Sequence, residues 1–77
     1  MSMSVEQFLS LSDTEQLQTI KDLNDIGQEE IIIDVLTGVG IDNLSVPLLN
    51  ELGRAYNNSD KPEEAIKVFK TIDTEHR

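Results

Sequence analysis

Few residues of this chain could do chemistry. The single histidine, His76, is the penultimate residue, and the sequence contains no cysteine. A general base or a metal ligand needs neighbouring groups that orient it, and a chain end supplies none. The glycines at 38–40 do not form a phosphate-binding motif, and no G-x-S-x-G segment is present. We therefore expect no catalytic residue, no metal site and no cofactor.

One segment imitates the start of a calcium loop. Asp22, Asn24 and Gly27 match the first, third and sixth positions of an EF-hand loop. The fifth position then needs an oxygen ligand and the twelfth needs a glutamate, but Ile26 and Ile33 stand there. We expect Asn24 to be a polar residue near a helix end rather than a calcium ligand.

The chain has a formal net charge of −9, and the charge is unevenly distributed. Ten acidic residues and one base, Lys21, lie in residues 1–53, whereas residues 54–77 hold five acids and five bases. An acidic surface repels phosphate groups, so we expect no binding to nucleic acid or to membranes. The absence of cysteine and of a leader peptide favours a cytoplasmic protein.

Start and stop signals divide the chain into predicted helices. Ser4 and Ser12 each lie three positions before a glutamine or glutamate, which is the capping-box pattern. Ser45 and Asp60 each lie two positions before a proline, a residue that helices accept in their first turn. Gly27, and then Gly38 and Gly40, are expected to end helices. The predicted helices cover residues 4–10, 13–25, 28–38, 45–57 and 62–73.

Apolar residues recur at helical spacing in each of the four longer segments, and sustained strict alternation is absent. Links of a few residues force consecutive helices into antiparallel hairpins. The sequence therefore predicts a single all-α domain with about four main helices. The predicted buried positions are Leu17, Ile20, Leu23, Ile31, Ile32, Val35, Leu36, Leu48, Leu49, Leu52, Ala55, Tyr56, Ala65, Ile66, Phe69 and Ile72.

The segment LLNELGRAYNNSDKPEEAIKVFKTI, residues 48–72, resembles a tetratricopeptide repeat. That family has a helix–turn–helix unit of about 34 residues with the signature W-x₂-L-G-x₂-Y…A-x₃-F. Leu49 replaces the usual aromatic residue, and Ile72 replaces the final small residue. The alternative is an unrelated helical hairpin with ordinary core aromatics. The residues that carry the resemblance and are expected to pack the hairpin are Leu49, Leu52, Gly53, Tyr56, Ala65 and Phe69.

The small residues of this signature have a physical reason. Helical glycine costs about 1 kcal/mol relative to alanine, so Gly53 needs a packing role. We expect the two helices to approach closely where Gly53 and Ala65 lie. Tyr56 and Phe69 are then expected to fill the gaps beside that approach.

A degenerate copy of the unit precedes it. A shift of 33 places Leu23 on Tyr56, and a shift of 34 places Ile31 on Ala65, so the first turn is expected to be one residue shorter. The predicted organisation of the domain, residues 1–77, is a turn or short helix at 1–12, a degenerate or capping hairpin at 13–44 and a repeat at 45–73. The resemblance implies that the hairpins stack as a short right-handed superhelix.

The resemblance also implies a function. Stacked repeats bind proteins or peptides in a groove lined by the first helix of each pair, so we expect a non-enzymatic protein–protein interaction module, a scaffold or adaptor. Asn50, Arg54 and Asn57 share one helical face. A plain solvated face is the alternative. The candidate partner-binding residues are Lys21, Asn24, Asn50, Arg54 and Asn57.

The segment ELGRAYNNSDKPEEAIKVFKTI, residues 51–72, also looks like the start of a group of bacterial tetratricopeptide proteins. Nothing in the sequence caps the last helix, so we expect either a longer repeat protein or self-association through the C-terminal helix. A second functional class fits the length and the acidity: a small immunity or antitoxin-like inhibitor that covers a basic protein. Salt discriminates the two, because electrostatically steered association slows as ionic strength rises.

Overall fold

The computed structural model describes residues 3–75 and the side chains of residues 3–72. These residues form helices and connecting turns without any strand, so the all-α prediction is confirmed for the described chain. A 3-10 turn at Ile41–Asn43 joins the two halves. The α-helices are α1 (Val5–Leu9), α2 (Asp13–Asp25), α3 (Glu29–Val39), α4 (Val46–Asn58) and α5 (Pro62–Glu75).

Both predicted capping boxes are confirmed. The Ser4 hydroxyl accepts the Gln7 N–H at 3.1 Å, and the Gln7 side-chain carbonyl accepts the Ser4 N–H at 2.9 Å. Ser12 and Glu15 exchange the same two bonds at 3.2 and 3.1 Å. Each box satisfies backbone donors that the first turn of a helix would leave unpaired, and so fixes where α1 and α2 begin.

Of the two glycines predicted to end the helix, Gly40 does so and Gly38 does not. Gly38 lies inside α3, which continues to Val39 and stops at Gly40, where φ is +101°. A Cβ on Gly38 would lie 2.5 Å from Val5 Cγ2 of α1. The glycine therefore allows α1 to pack closely on α3, and the turn is made two residues later.

The two hairpins close with the same turn. In the first, Gly27 has φ +78°, and Gln28 N–H donates to Leu23 O at 2.9 Å. In the second, Asp60 has φ +61°, and Lys61 N–H donates to Tyr56 O at 2.8 Å. Both follow the Schellman pattern, in which a left-handed residue just beyond the helix end satisfies the last carbonyl groups.

The hairpins repeat at a single spacing. Asp13 and Val46, which begin α2 and α4, lie 33 positions apart, and so do Glu29 and Pro62, which begin α3 and α5. Each turn has three residues, so the expectation that the first is one residue shorter was wrong. The pattern of burial also supports a spacing of 33 residues. With this spacing, the buried Ile32 and Val35 align with the buried Ala65 and Val68. The 34-residue shift aligns Glu29 and Glu30 with Glu63 and Glu64, but these glutamates lie outside the core.

Helix α4 is the centre of the molecule. It packs against α2, α3 and α5, while α1 covers α3 and contributes the buried Phe8. Most predicted core positions are buried, but Ile66 is 52% exposed, and Val68, which was not predicted, takes its place in the core. The buried apolar residues are Phe8, Ile20, Leu23, Ile32, Val35, Leu36, Leu44, Leu48, Leu49, Leu52, Ala55, Tyr56, Ala65 and Val68.

Candidate functional site

The first helices of the two hairpins, α2 and α4, lie side by side and meet in a polar contact. Asn24 of α2 donates from its side-chain amide to the backbone carbonyl and to Oε1 of Glu51, both at 3.1 Å. Asn24 is only 5% exposed, and Glu51 is half-buried. Both amide hydrogens of Asn24 are therefore used to join the two hairpins.

Asn24, one of the five candidate partner-binding residues, is buried and does not lie on the surface with the others. Its Oδ1 is buried and has no hydrogen-bond partner. A buried acceptor without a partner costs about 1–3 kcal/mol, which the two bonds to Glu51 offset in part. In the folded chain, Asn24 is a packing residue of the α2–α4 contact and not part of an open surface.

Arg54 lies at the edge of the same contact. Its guanidinium is 3.4 Å from Asp25 Oδ1 and 3.6 Å from Glu51 Oε1, and the Arg54 side chain is 48% exposed. Such exposed ion pairs stabilise a fold by about 0–1 kcal/mol. Their main consequence here is positional, because they hold a half-exposed guanidinium over the junction of α2 and α4.

The remaining candidates lie on the exposed side of these two helices. Lys21, Asn50 and Asn57 are all exposed, and none makes a side-chain hydrogen bond or ion pair with another described residue. Together with Arg54 they form a surface that we call the α2–α4 face, consisting of Lys21, Asn50, Arg54 and Asn57. Sequence reasoning did not identify Asp25 and Glu51, which position Arg54. The spacing of Glu51 and Arg54 by three residues was the available signal.

Of the six residues predicted to pack the second hairpin, five are buried: Leu49, Leu52, Gly53, Tyr56 and Ala65. Phe69 is 40% exposed. A Cβ on Gly53 would lie 2.5 Å from Cζ and 2.6 Å from Cε1 of the Phe69 ring. The small residue therefore makes room for Phe69 itself, which corrects the expectation that Phe69 fills a gap beside an approach of Gly53 and Ala65.

A cavity of about 580 Å³ opens at the turn between α4 and α5. Tyr56 lines it, together with Ile33 of α3 and the residues from Asp60 to Glu64. Burial raises the pKa of Tyr56 above its ordinary value of 10.0, and the negative charge of Glu64 raises it further. The neutral phenol is thus favoured in the folded state, which suits a packing role.

In the described part of the chain, no group of three or more histidine, aspartate or glutamate side chains could hold a metal ion. None of the helices between residues 3 and 75 is long and apolar enough to cross a membrane. His76 lies outside the described residues.

Comparison of the chain with protein-family models, with curated proteins and with solved structures gives no match. The resemblance to tetratricopeptide repeats accordingly stays a prediction from the sequence.

Proposed function

We propose that the chain is a non-enzymatic protein-interaction module that binds a protein or peptide on the α2–α4 face. The observation that supports this most strongly is the direct contact of α2 and α4 through Asn24 and Glu51. This contact joins the first helices of two equivalent hairpins into one surface, as in groups of repeats that bind peptides.

The chemistry of the α2–α4 face suits a polypeptide ligand. Asn50 and Asn57 each offer a side-chain amide that both donates and accepts, which matches the N–H and C=O groups of a peptide backbone. Arg54 adds a guanidinium whose position is already restricted by Asp25 and Glu51. Because the side chain is already restricted, less conformational entropy is lost when a ligand binds.

Site-specific photo-crosslinking in the producing cells tests the proposal. A benzophenone amino acid is placed at Asn50 or at Asn57, and a control is placed at Asp34, an exposed residue of α3. We expect the same protein to be crosslinked from both α4 positions and not from the α3 position. Equal crosslinking from all three positions, or none from α4, would contradict the proposal.

A second candidate function is the neutralisation of a basic protein, in the manner of an immunity protein or antitoxin. The acidic residues of α2 and α3 favour it, because Asp13, Asp22, Glu30 and Asp34 are exposed in a region whose only base is Lys21. Here crosslinking from Asp34 would exceed that from Asn50. The association rate of a basic partner would also fall steeply with added salt, whereas the association rate of a peptide that hydrogen-bonds to the α2–α4 face would change less.

A further inference from the structure

Helix α5 has fewer neighbours than its counterpart in the first hairpin. Helix α3 packs against α1, α2 and α4, whereas α5 packs mainly against α4. The 33-residue spacing aligns Leu36 of α3 with Phe69 of α5, and Ile33 with Ile66. Leu36 is fully buried and Ile33 is half-buried, but Phe69 is 40% and Ile66 52% exposed. Two large apolar side chains of α5, Ile66 and Phe69, are therefore left without a covering element among the described residues.

The charges beside these apolar residues are arranged in a particular order. Glu63 lies one helical turn before Ile66, and Lys70 lies one turn after it, so the three residues form one row along α5. Both charged side chains are exposed, and neither makes an ion pair with another described residue. Helix α5 thus carries a negative charge, an apolar residue and a positive charge in sequence.

We propose that the α5 face, formed by Glu63, Ile66, Phe69 and Lys70, binds the same face of a second copy of this chain in an antiparallel, two-fold symmetric dimer. With the symmetry axis close to Ile66, Glu63 of each copy lies opposite Lys70 of the other. A parallel arrangement would instead bring like charges together. In the antiparallel dimer, apolar side chains meet at the centre, and two equivalent ion pairs flank them.

The distribution of charge along the chain is consistent with a dimer that forms through α5. Residues 54–77 are neutral overall, while residues 1–53 carry the net charge of −9. Two copies joined through α5 meet on their neutral portions, so the self-repulsion of the acidic portions is limited. One helix face per copy buries less than the roughly 1,600 Å² of a standard interface, so we expect a weak dimer with Kd of about 10 μM to 1 mM.

Sedimentation equilibrium of the full chain up to about 1 mM tests the dimer. We expect Ile66→Ser to weaken dimerisation at least about tenfold while the helical circular dichroism is unchanged, because Ile66 is exposed and outside the core. Leu9→Ser is the matched control, since Leu9 is 56% exposed but lies on α1. A wild-type chain that is monomeric throughout, or a dimer that Leu9→Ser weakens and Ile66→Ser does not, would overturn the proposal.

Charge exchange tests the antiparallel arrangement. Glu63→Lys and Lys70→Glu should each weaken the dimer by placing like charges opposite one another. The double variant Glu63→Lys/Lys70→Glu should restore the wild-type affinity, and the two single variants mixed together should form a heterodimer. Failure of the double variant to recover affinity lost by the single variants would contradict the antiparallel pairing. This outcome is independent of the α2–α4 face.

Discussion

Gly53 and Phe69 form a small-to-large contact between α4 and α5 that sets how closely these helices pack. The ring of Phe69 occupies the space that a side chain at position 53 would need, with Cζ 2.5 Å from the position of a Cβ. The intrinsic preference of a helix for alanine over glycine opposes this contact by about 1 kcal/mol. The ring of Phe69 therefore explains why position 53 is a glycine, and a double-mutant cycle of Gly53 and Phe69 can test this explanation.

We expect Gly53→Ala to destabilise the wild-type chain by about 1 kcal/mol, because overpacking against the ring exceeds the gain in helix propensity. In a Phe69→Ala background the same change should stabilise by about 1 kcal/mol. Urea unfolding followed by circular dichroism measures all four corners of the cycle. An effect of the same sign and size in both backgrounds would show that Phe69 is not the reason for the glycine.

Tyr56 offers a direct pH measurement, since it is the only tyrosine of the chain. Burial and the charge of Glu64 raise its pKa in the folded state. Ionisation is thus more favourable in the unfolded chain, so the stability that the neutral phenol contributes is complete below about pH 10 and is lost as pH rises through the folded-state pKa.

The phenolate absorbance should therefore titrate at higher pH in the folded chain than in urea. Glu64→Gln should lower the folded-state midpoint without bringing it to the unfolded value, because burial is the larger cause. A folded-state midpoint at or below the one measured in urea would contradict the burial of Tyr56.

The two hairpins are equivalent in backbone and different in surroundings. The 33-residue spacing aligns Asn24 with Asn57, but Asn24 is buried between α2 and α4, whereas Asn57 is exposed on the last hairpin. The same side chain at the same place in the repeating unit thus packs against Glu51 in one hairpin and faces solvent in the other. This difference makes the pair a matched test of how α2 and α4 are joined.

We expect Asn24→Asp to destabilise the fold by more than about 2 kcal/mol at neutral pH, because it places a buried carboxylate against Glu51. Asn57→Asp adds the same charge to the chain and should change the free energy of unfolding by less than about 0.5 kcal/mol. Thermal and urea unfolding of both variants provide the comparison. Equal effects of the two changes would rule out the buried α2–α4 contact.

The helices themselves were predictable from the sequence, because local signals determine them. Ser12 with Glu15 fixes the start of α2, and Pro62 marks the start of α5, as predicted. Helix α5 continues to Glu75, two residues beyond the predicted end. These signals act within a few residues, so a sequence alone contains them.

The choice of buried face was less predictable, because it depends on contacts between distant residues. Ile66 and Val68 are both apolar, and only the position of α4 decides that Val68 enters the core. Phe8 is buried because α1 folds back on α3, which no local pattern indicates. Asn24 has a polar side chain of the kind that usually lies on the surface. It is buried because Glu51 offers two hydrogen-bond acceptors.

The molecule as a whole has an acidic first portion, residues 1–53, and a neutral second portion, residues 54–77, and the two proposed surfaces lie differently with respect to them. The α2–α4 face spans both portions, with Lys21 and Asn50 in the first and Arg54 and Asn57 in the second, and the exposed Asp25 pairs with Arg54 at its edge. The α5 face, formed by Glu63, Ile66, Phe69 and Lys70, lies wholly in the neutral portion. A protein ligand on one face and a second copy on the other would be compatible, since no residue belongs to both.

The central proposal, that a protein ligand binds the α2–α4 face, is tested most directly by the amide NMR spectrum of the isotope-labelled chain with the partner that crosslinking identifies. The side-chain amide signals of Asn50 and Asn57 should shift on binding, while that of the buried Asn24 should stay in place. Unchanged signals from Asn50 and Asn57, with shifts confined to the acidic surface of α3, would contradict the proposal and favour the inhibitor of a basic protein.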